Sequence, residues 1–292
     1  MGERVGDLAG VDGPFRAAQG PHHGDVRGVL LDLDGVVYVG DAPVPGASAA
    51  VDWLEREGVP YRYLTNTTSR PRQAIVEKLA GVGITATGDR ILTPAVAAAA
   101  RPRRHDVVRT ALFVPTATAT EFAGLDPLPD GAEVADHHRV RALLGAGWDF
   151  ATLNRAFRLL MREAAPPLLA LGLTRYWRAD DGLRLDAGPV VRALEYATGR
   201  AAVVLGKPDP AFYRTAVDAL GLEPGLDPAQ VVMVGDDVRT DVGGAQRAGL
   251  TGVLVRTGKF SASDLDGDVS PDAVLDSIAD LPRWWAPRSA GS

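Results

Sequence analysis

Val29-Leu30-Leu31-Asp32-Leu33-Asp34-Gly35 is the stretch from which the architecture can be read. Its apolar run predicts a buried strand over 29–33, and the glycine marks a tight turn at the carboxyl end. Two carboxylates one residue apart on such a turn repel each other. The pair persists most readily when a cation neutralises it or when one member must carry a proton for chemistry. Oxygen-only ligands of this kind suit a hard cation such as Mg²⁺. The alternative is a strand-end turn with two solvated aspartates, and the rest of the chain decides between the two.

Outward from this stretch, short apolar runs alternate with helical patterns. Strands are expected over 61–64, 201–205, 231–234 and 252–255, and helices over 47–57, 69–79, 211–220 and 242–248. Near-continuous apolar strands separated by helices imply a parallel sheet covered on both faces, the doubly wound α/β architecture. The segment 87–203 interrupts the rhythm with elements of its own: a strand over 111–114, another over 168–171, a hairpin turn at Asp180-Asp181-Gly182 and a helix over 190–197. It also holds a helix in which Phe150, Leu153, Phe157, Leu160 and Met161 recur at three- and four-residue steps, a stripe expected to face a core. The division expected is a mobile arm over 1–27, a main α/β domain over 28–86 and 204–292, and an inserted α/β domain over 87–203.

The 292 residues can bury one large core or two modest ones. A net charge of -6 gives no electrostatic footprint for nucleic acid or an anionic membrane surface. No apolar run approaches the roughly 20 residues that cross a bilayer. The chain has no cysteine, which removes disulfides, thiolate zinc sites and a cysteine nucleophile and suits a cytoplasmic setting.

In a doubly wound sheet, ligands bind outside the carboxyl ends of the strands. Four such ends carry residues suited to a phosphate: Asp32-Leu33-Asp34-Gly35, Thr65-Asn66, Gly206-Lys207-Pro208 after Val203-Val204-Leu205, and Gly235-Asp236-Asp237 with Asp241 beyond. Each has a plain structural alternative; Lys207 could be a solvated turn lysine, and Asp241 a helix N-terminal charge. Their recurrence at successive strand ends is the specific feature. A phosphate monoester dianion repels a carboxylate nucleophile, so attack needs a metal and a cation to cancel charge. Asp32 and Asp236, with Asp34 beside them, are the candidate Mg²⁺ ligands. Lys207 would neutralise the remaining charge, and Thr65 and Asn66 would hold phosphate oxygens. Asp32 could attack phosphorus to give an aspartyl-phosphate, with Asp34 protonating the leaving oxygen and later deprotonating water. Asp237 and Asp241 would complete or orient the metal's surroundings.

These residues resemble the motifs of the haloacid dehalogenase superfamily of phosphohydrolases. Asp32-Leu33-Asp34-Gly35-Val36 looks like its first motif, Thr65 its second, Lys207 its third, and Gly235-Asp236-Asp237 through Asp241 its fourth. An insertion between the second and third motifs is similar to type IIA members, which carry a C2-type α/β cap there. Thr65-Asn66-Thr67-Thr68, Leu194-Glu195-Tyr196-Ala197, Gly206-Lys207-Pro208, Asp241-Val242-Gly243-Gly244-Ala245-Gln246 and Arg256-Thr257-Gly258-Lys259-Phe260 look like the branch containing phospholysine phosphohistidine inorganic pyrophosphate phosphatases. The resemblance implies a Mg²⁺-dependent phosphatase acting on small phosphorylated metabolites or pyrophosphate, and a homodimer joined through its caps. Members of that branch can carry serine where this chain has Asp34; an acid there favours ordinary phosphoester hydrolysis. The stretch 135–147, with His137-His138-Arg139-Val140-Arg141, departs from the apolar strand that the family pattern leads one to expect.

The loop following the 168–171 strand, with Arg175 and Tyr176, is expected to face the substrate by its similarity to the type IIA substrate loop. Two other functions use related residues. A phosphotransferase or mutase would replace water by an acceptor hydroxyl. A receiver-like phosphoacceptor also combines acids, Thr and Lys, but places its acid pair first and carries no insert.

Overall fold

A computed structural model of the chain describes residues 26–100, 109–125, 140–144, 149–162, 166–179 and 182–285. Residues 1–25 of the expected arm, the hairpin residues Asp180 and Asp181, and 135–139 and 145–147 of the atypical stretch lie outside the described residues. Val26 and Arg27, also assigned to the arm, belong to the main domain, with Val26 buried and the Arg27 N–H bonded to the Gln230 carbonyl at 2.7 Å.

The main sheet has six strands, all parallel, in the spatial order Ala273–Leu275, Thr251–Val255, Val231–Gly235, Gly28–Leu31, Tyr61–Leu64 and Ile91–Leu92. Alternate side chains leave a strand on opposite faces, and both faces here are covered. Val29, Leu31, Tyr61, Tyr63, Val232 and Val234 join one cluster, packed under the helices Ala47–Arg56 and Arg72–Gly81. Leu30, Leu64, Val231 and Met233 join the other, under Pro210–Ala219 and Gly243–Arg247. Burying a side chain such as Leu30 contributes about 1.5–3 kcal/mol, so a polar replacement there would weaken the layer it faces. Gly28–Leu31 pairs with Tyr61–Leu64 on one side and with Val231–Gly235 on the other. Chain order therefore reverses at this strand, and the crevice that a doubly wound sheet offers a ligand opens at its carboxyl end.

The insert is built on a four-stranded parallel sheet in the order Val203–Val204, Leu168–Ala170, Val140–Leu144 and Arg109–Phe113. Its own core holds Ala111, Phe113, Ala156, Leu159, Leu160, Leu168, Ala170, Val191 and Leu194, with the helices Phe150–Leu160 and Ala187–Thr198 contributing. A two-stranded ribbon, Tyr176–Ala179 against Gly182–Leu185, flanks it. Val140–Leu144 is a strand, so the atypical stretch keeps the expected element. No helix among the described residues is long and apolar enough to cross a membrane.

Several expectations are corrected. The strand expected over 29–33 ends at Leu31, because Leu33 already turns the chain, its carbonyl accepting from Val37 and Tyr38. Ile91–Leu92, placed by the 87–203 boundary in the insert, is the edge strand of the main sheet, buried opposite Tyr63 and Leu64. Val203–Val204 pairs with Leu169 and Ala170 at the edge of the insert's sheet, so Lys207 follows an insert strand rather than a main-sheet strand. In the amphipathic helix Phe150 is 77% and Met161 54% exposed, whereas Leu160 is buried in the core and Leu153 and Phe157 pack against it as expected, joined by Ala156 and Leu159.

The insert is tied to the main domain near the second loop. Helix Arg72–Gly81 starts after Pro71, which offers no capping side chain. Glu121 supplies the missing acceptor: its carboxylate takes the Arg72 backbone N–H at 2.7 Å and the Arg72 Nε at 2.9 Å. Beside it the buried Thr118 hydroxyl donates to the Thr68 carbonyl at 3.0 Å.

Candidate active site

The crevice at the ends of Gly28–Leu31, Tyr61–Leu64 and Val231–Gly235 collects the predicted residues. The Asp32 N–H continues the sheet ladder to the Val234 carbonyl at 2.9 Å, which fixes the Asp32 backbone, and the Thr65 N–H does the same to Leu92 at 3.2 Å. Asp32, Thr65, Lys207, Asp236 and Asp241 are all buried. The Lys207 ammonium bridges two carboxylates, donating at 2.7 Å to Asp32 Oδ1 and at 2.7 Å to Asp241 Oδ1. Burial opposes the lysine's charge, but Asp241 and Asp32 outweigh it and raise the Lys207 pKa. The lysine is therefore a fixed cation.

Lys207 does not balance three carboxylates, and Lys259, whose charge also reaches Asp236, still leaves an excess of negative charge. Burial, followed by the charges of Asp32 and Asp241, pushes Asp236 up to about 7. Burial likewise raises Asp241 to about 6, with Lys207 working against the rise and Asp32 with it. Carboxylate oxygens of Asp32, Asp236 and Asp241 all lie within 4.8 Å of one another. Asp236 turns Oδ2 to the Lys259 backbone N–H at 2.7 Å, while its buried Oδ1 has no hydrogen-bond partner. An orphaned buried acceptor is costly unless something takes it. An all-oxygen set, excess negative charge and an unsatisfied oxygen together fit a hard divalent cation.

The expected residues do not all share this role. Asp241 spends Oδ1 on Lys207 and Oδ2 on the Asp237 N–H at 3.1 Å, so it holds the lysine more than it offers a free ligand oxygen. Asp237 turns its carboxylate to the backbone N–H groups of Arg239 and Thr240, at 3.0 and 2.9 Å, capping the π-helical turn Val238–Val242 that carries Asp241 inward. Asp34, expected among the metal ligands, is exposed, and its carboxylate lies outside the three-aspartate cluster. Asn66, expected to hold phosphate, instead spends its carboxamide on the main chain of Lys207. Thr65 Oγ1 accepts from the Thr67 N–H at 3.3 Å, leaving its hydroxyl proton for a ligand. Arg175 and Tyr176 are exposed at the head of the insert ribbon, the guanidinium 5.8 Å from the Tyr176 ring, away from the cluster's hydrogen bonds.

A fifth loop, legible in the sequence only through its resemblance to the phosphatase branch, carried no expected role in the site. Residues 256–259 follow the strand Thr251–Val255, the next in the sheet, and the rule that singled out four strand ends applies equally to this one. The Thr257 hydroxyl bonds the Gly35 carbonyl, and the Lys259 N–H orients Asp236. The packing admits only glycine at two points: a Cβ would lie 1.9 Å from Asp236 Oδ2 at Gly35 and 2.1 Å from it at Gly258, and both have positive φ.

Comparison with known proteins agrees with this geometry. A family model described as haloacid dehalogenase-like hydrolase matches residues 29–123, and one described as HAD-hydrolase-like matches 204–281. Haloacid dehalogenase-like hydrolase domain-containing protein 2 of Homo sapiens is 40% identical over 250 residues, covering 86% of this chain and 91% of that protein. The chain belongs to the haloacid dehalogenase-like hydrolases. The human phospholysine phosphohistidine inorganic pyrophosphate phosphatase is also similar to this hydrolase, 37% identical over 261 residues, with 87% of this chain and 92% of that one covered. Among solved structures, a glycerol phosphate phosphatase from Mycobacterium tuberculosis in complex with magnesium matches with a TM-score of 0.76 at 27% identity, covering 89% of this chain and 78% of that one. The shared fold includes the insert, and the family with its phosphatase relatives makes this hydrolase a phosphohydrolase.

Proposed function

We propose that this hydrolase is a Mg²⁺-dependent phosphatase of small phosphorylated metabolites or pyrophosphate, working through an aspartyl-phosphate on Asp32. The observation that carries the reading is the Lys207 ammonium shared between Asp32 and Asp241, beside the unsatisfied Oδ1 of Asp236. Asp32 and Asp236 would hold the ion, which supplies charge neutralisation at a phosphate oxygen. Lys207, at 2.7 Å from Asp32 Oδ1, directs that carboxylate toward phosphorus. A carboxylate oxygen of Asp32 forms the new bond to phosphorus as the bond to the leaving oxygen breaks. Asp34 gives that oxygen its proton, then takes one from the water that cleaves the acyl phosphate, releasing phosphate and restoring both aspartates. Exposure leaves Asp34 free to exchange protons with solvent. Thr65 donates its hydroxyl to a phosphate oxygen, and Arg175 and Tyr176 contact the leaving group from the insert.

Purified protein with Mg²⁺ and a generic phosphoester should release phosphate, and Asp32→Asn should reduce turnover by at least about a thousandfold, as loss of a nucleophile does. An Asp32→Asn enzyme of undiminished activity would sink the nucleophile assignment. An aspartyl-phosphate that forms and persists would favour the receiver-like alternative, and transfer to an added hydroxyl compound the phosphotransferase. We also propose a homodimer joined through the insert.

A further inference from the structure

Lys207 has a mechanical difficulty. The chain reaches it from Val203–Val204, an edge strand of the insert's sheet, and the Leu205 N–H is still bonded to the insert's Ala170 carbonyl at 2.8 Å. Two residues later its ammonium must sit between Asp32 and Asp241 of the main domain. Unless something anchors the backbone between them, displacement of the insert would pull the lysine off Asp32.

Asn66 is placed to provide that anchor. Its Oδ1 accepts from the Lys207 N–H at 2.8 Å and its Nδ2 donates to the Lys207 carbonyl at 2.9 Å. One side chain thus satisfies both polar groups of the Lys207 main chain, as a neighbouring strand would. Asn66 follows Thr65, whose N–H is bonded to Leu92, so the anchor belongs to the main sheet. Gly206 permits the close approach: a Cβ there would lie 2.9 Å from Asn66 Oδ1, 2.9 Å from the Leu171 carbonyl oxygen of the insert and 3.1 Å from Pro94.

We propose that Asn66 is a positioning residue: by holding the Lys207 backbone to the main sheet, it keeps the ammonium on Asp32 independently of the insert. Its consequence for turnover rests on the phosphatase reading above; the positional claim does not.

The chain has only three lysines, Lys78, Lys207 and Lys259, so lysine reactivity reads the position of Lys207 against two internal references. The full-length protein is treated with a water-soluble acetylating reagent, and each lysine's labelling rate is followed by peptide mass spectrometry. In the wild type Lys207, buried and paired with two carboxylates, should label slowest. Asn66→Ala should raise the Lys207 rate about tenfold or more and leave Lys78 and Lys259 unchanged, since local release exposes only the group released. Asn66→Asp keeps the acceptor but sets an oxygen against the Lys207 carbonyl, and should also raise the Lys207 rate. Gly206→Ala, which forces the two segments apart, should reproduce the effect if Asn66→Ala does not fold. Turnover should fall about 10- to 100-fold in Asn66→Ala, the usual cost of losing a supporting partner. An unchanged Lys207 rate, or a rise matched by Lys78 and Lys259, would overturn the proposal. A released Lys207 in a protein whose wild type hydrolyses no phosphoester would instead overturn the phosphatase reading and leave the positional claim standing.

Discussion

Asp236 concentrates the electrostatic tension of the site. Without an ion its folded pKa is pushed up to about 7 from an ordinary 3.8 by burial and by Asp32 and Asp241. Folding therefore favours the protonated form, and the stability this supplies is complete below the ordinary value and lost as pH rises through about 7. Asp241, raised to about 6, adds in the same sense. A divalent cation requires these carboxylates without their protons, so its binding releases protons and strengthens with pH. The metal-free protein should lose stability from about pH 4 to about pH 7 through these groups. Mg²⁺ at about 100 times its dissociation constant should restore roughly 2.7 kcal/mol at about pH 8 and much less at about pH 5. Asp236→Asn should be more stable than the wild type near pH 8 without metal, and its melting temperature should no longer respond to Mg²⁺. Equal stabilisation by Mg²⁺ at both pH values, or an undiminished response in Asp236→Asn, would contradict this account. The sequence made Asp32 and Asp236 legible because main-sheet strand ends gather at one edge, and Lys207 and Asp241 join them from an insert strand and a helical turn. The use of each oxygen depended on partners distant in the chain: Asn66 on residue 207, and Asp236 on the N–H of residue 259.

Among the elements, main-sheet strands that form near-continuous apolar runs were readable, and Tyr61–Leu64 has the expected limits. Periodicity does not reveal which sheet a short strand joins, and Val203–Val204, followed by the lysine loop, read as one more main-sheet strand. The turn Val238–Val242 was also hidden, since its π form depends on the Asp237 cap and on the Tyr213 hydroxyl bonding the Thr240 carbonyl, a partner 27 residues away. The ribbon Tyr176–Ala179/Gly182–Leu185 was legible through its turn, although the turn residues fall outside the described structure. Arg175 leads into this ribbon with its side chain exposed and its carbonyl bonded to the Asp186 N–H at 3.1 Å, so its backbone is held while its guanidinium is free to meet a ligand. Arg175→Ala should raise KM roughly tenfold for substrates with anionic leaving groups, the loss of one charge-assisted contact, and leave kcat within about twofold. Michaelis constants unchanged for every accepted substrate would remove Arg175 from the leaving-group site.

On the scale of the whole molecule, one cluster on each face of the main sheet and a separate cluster in the insert account for the legible division into a main domain and an insert. The boundaries were less legible, because an edge strand such as Ile91–Leu92 is only two residues long and the apolar helix Pro94–Ala100 follows it closely. The insert exposes more large apolar side chains than its own fold requires. Leu183 and Leu185, two residues apart, share one face of the ribbon, and Tyr176 sits opposite Leu185; they are 62%, 75% and 51% exposed. A contiguous exposed apolar face of this kind marks a contact surface. A second copy meeting it would bury the three side chains and brace the ribbon that presents Arg175. Sedimentation velocity should show a dimer for the wild type, and the double variant Leu183→Asp/Leu185→Asp should sediment as a monomer, because two carboxylates set into an apolar contact cannot shed their water without a partner. Its melting temperature should stay close to the wild-type monomer's, since neither leucine belongs to the insert's core. A monomeric wild type, or a double variant that remains dimeric, would exclude the ribbon as the contact between copies.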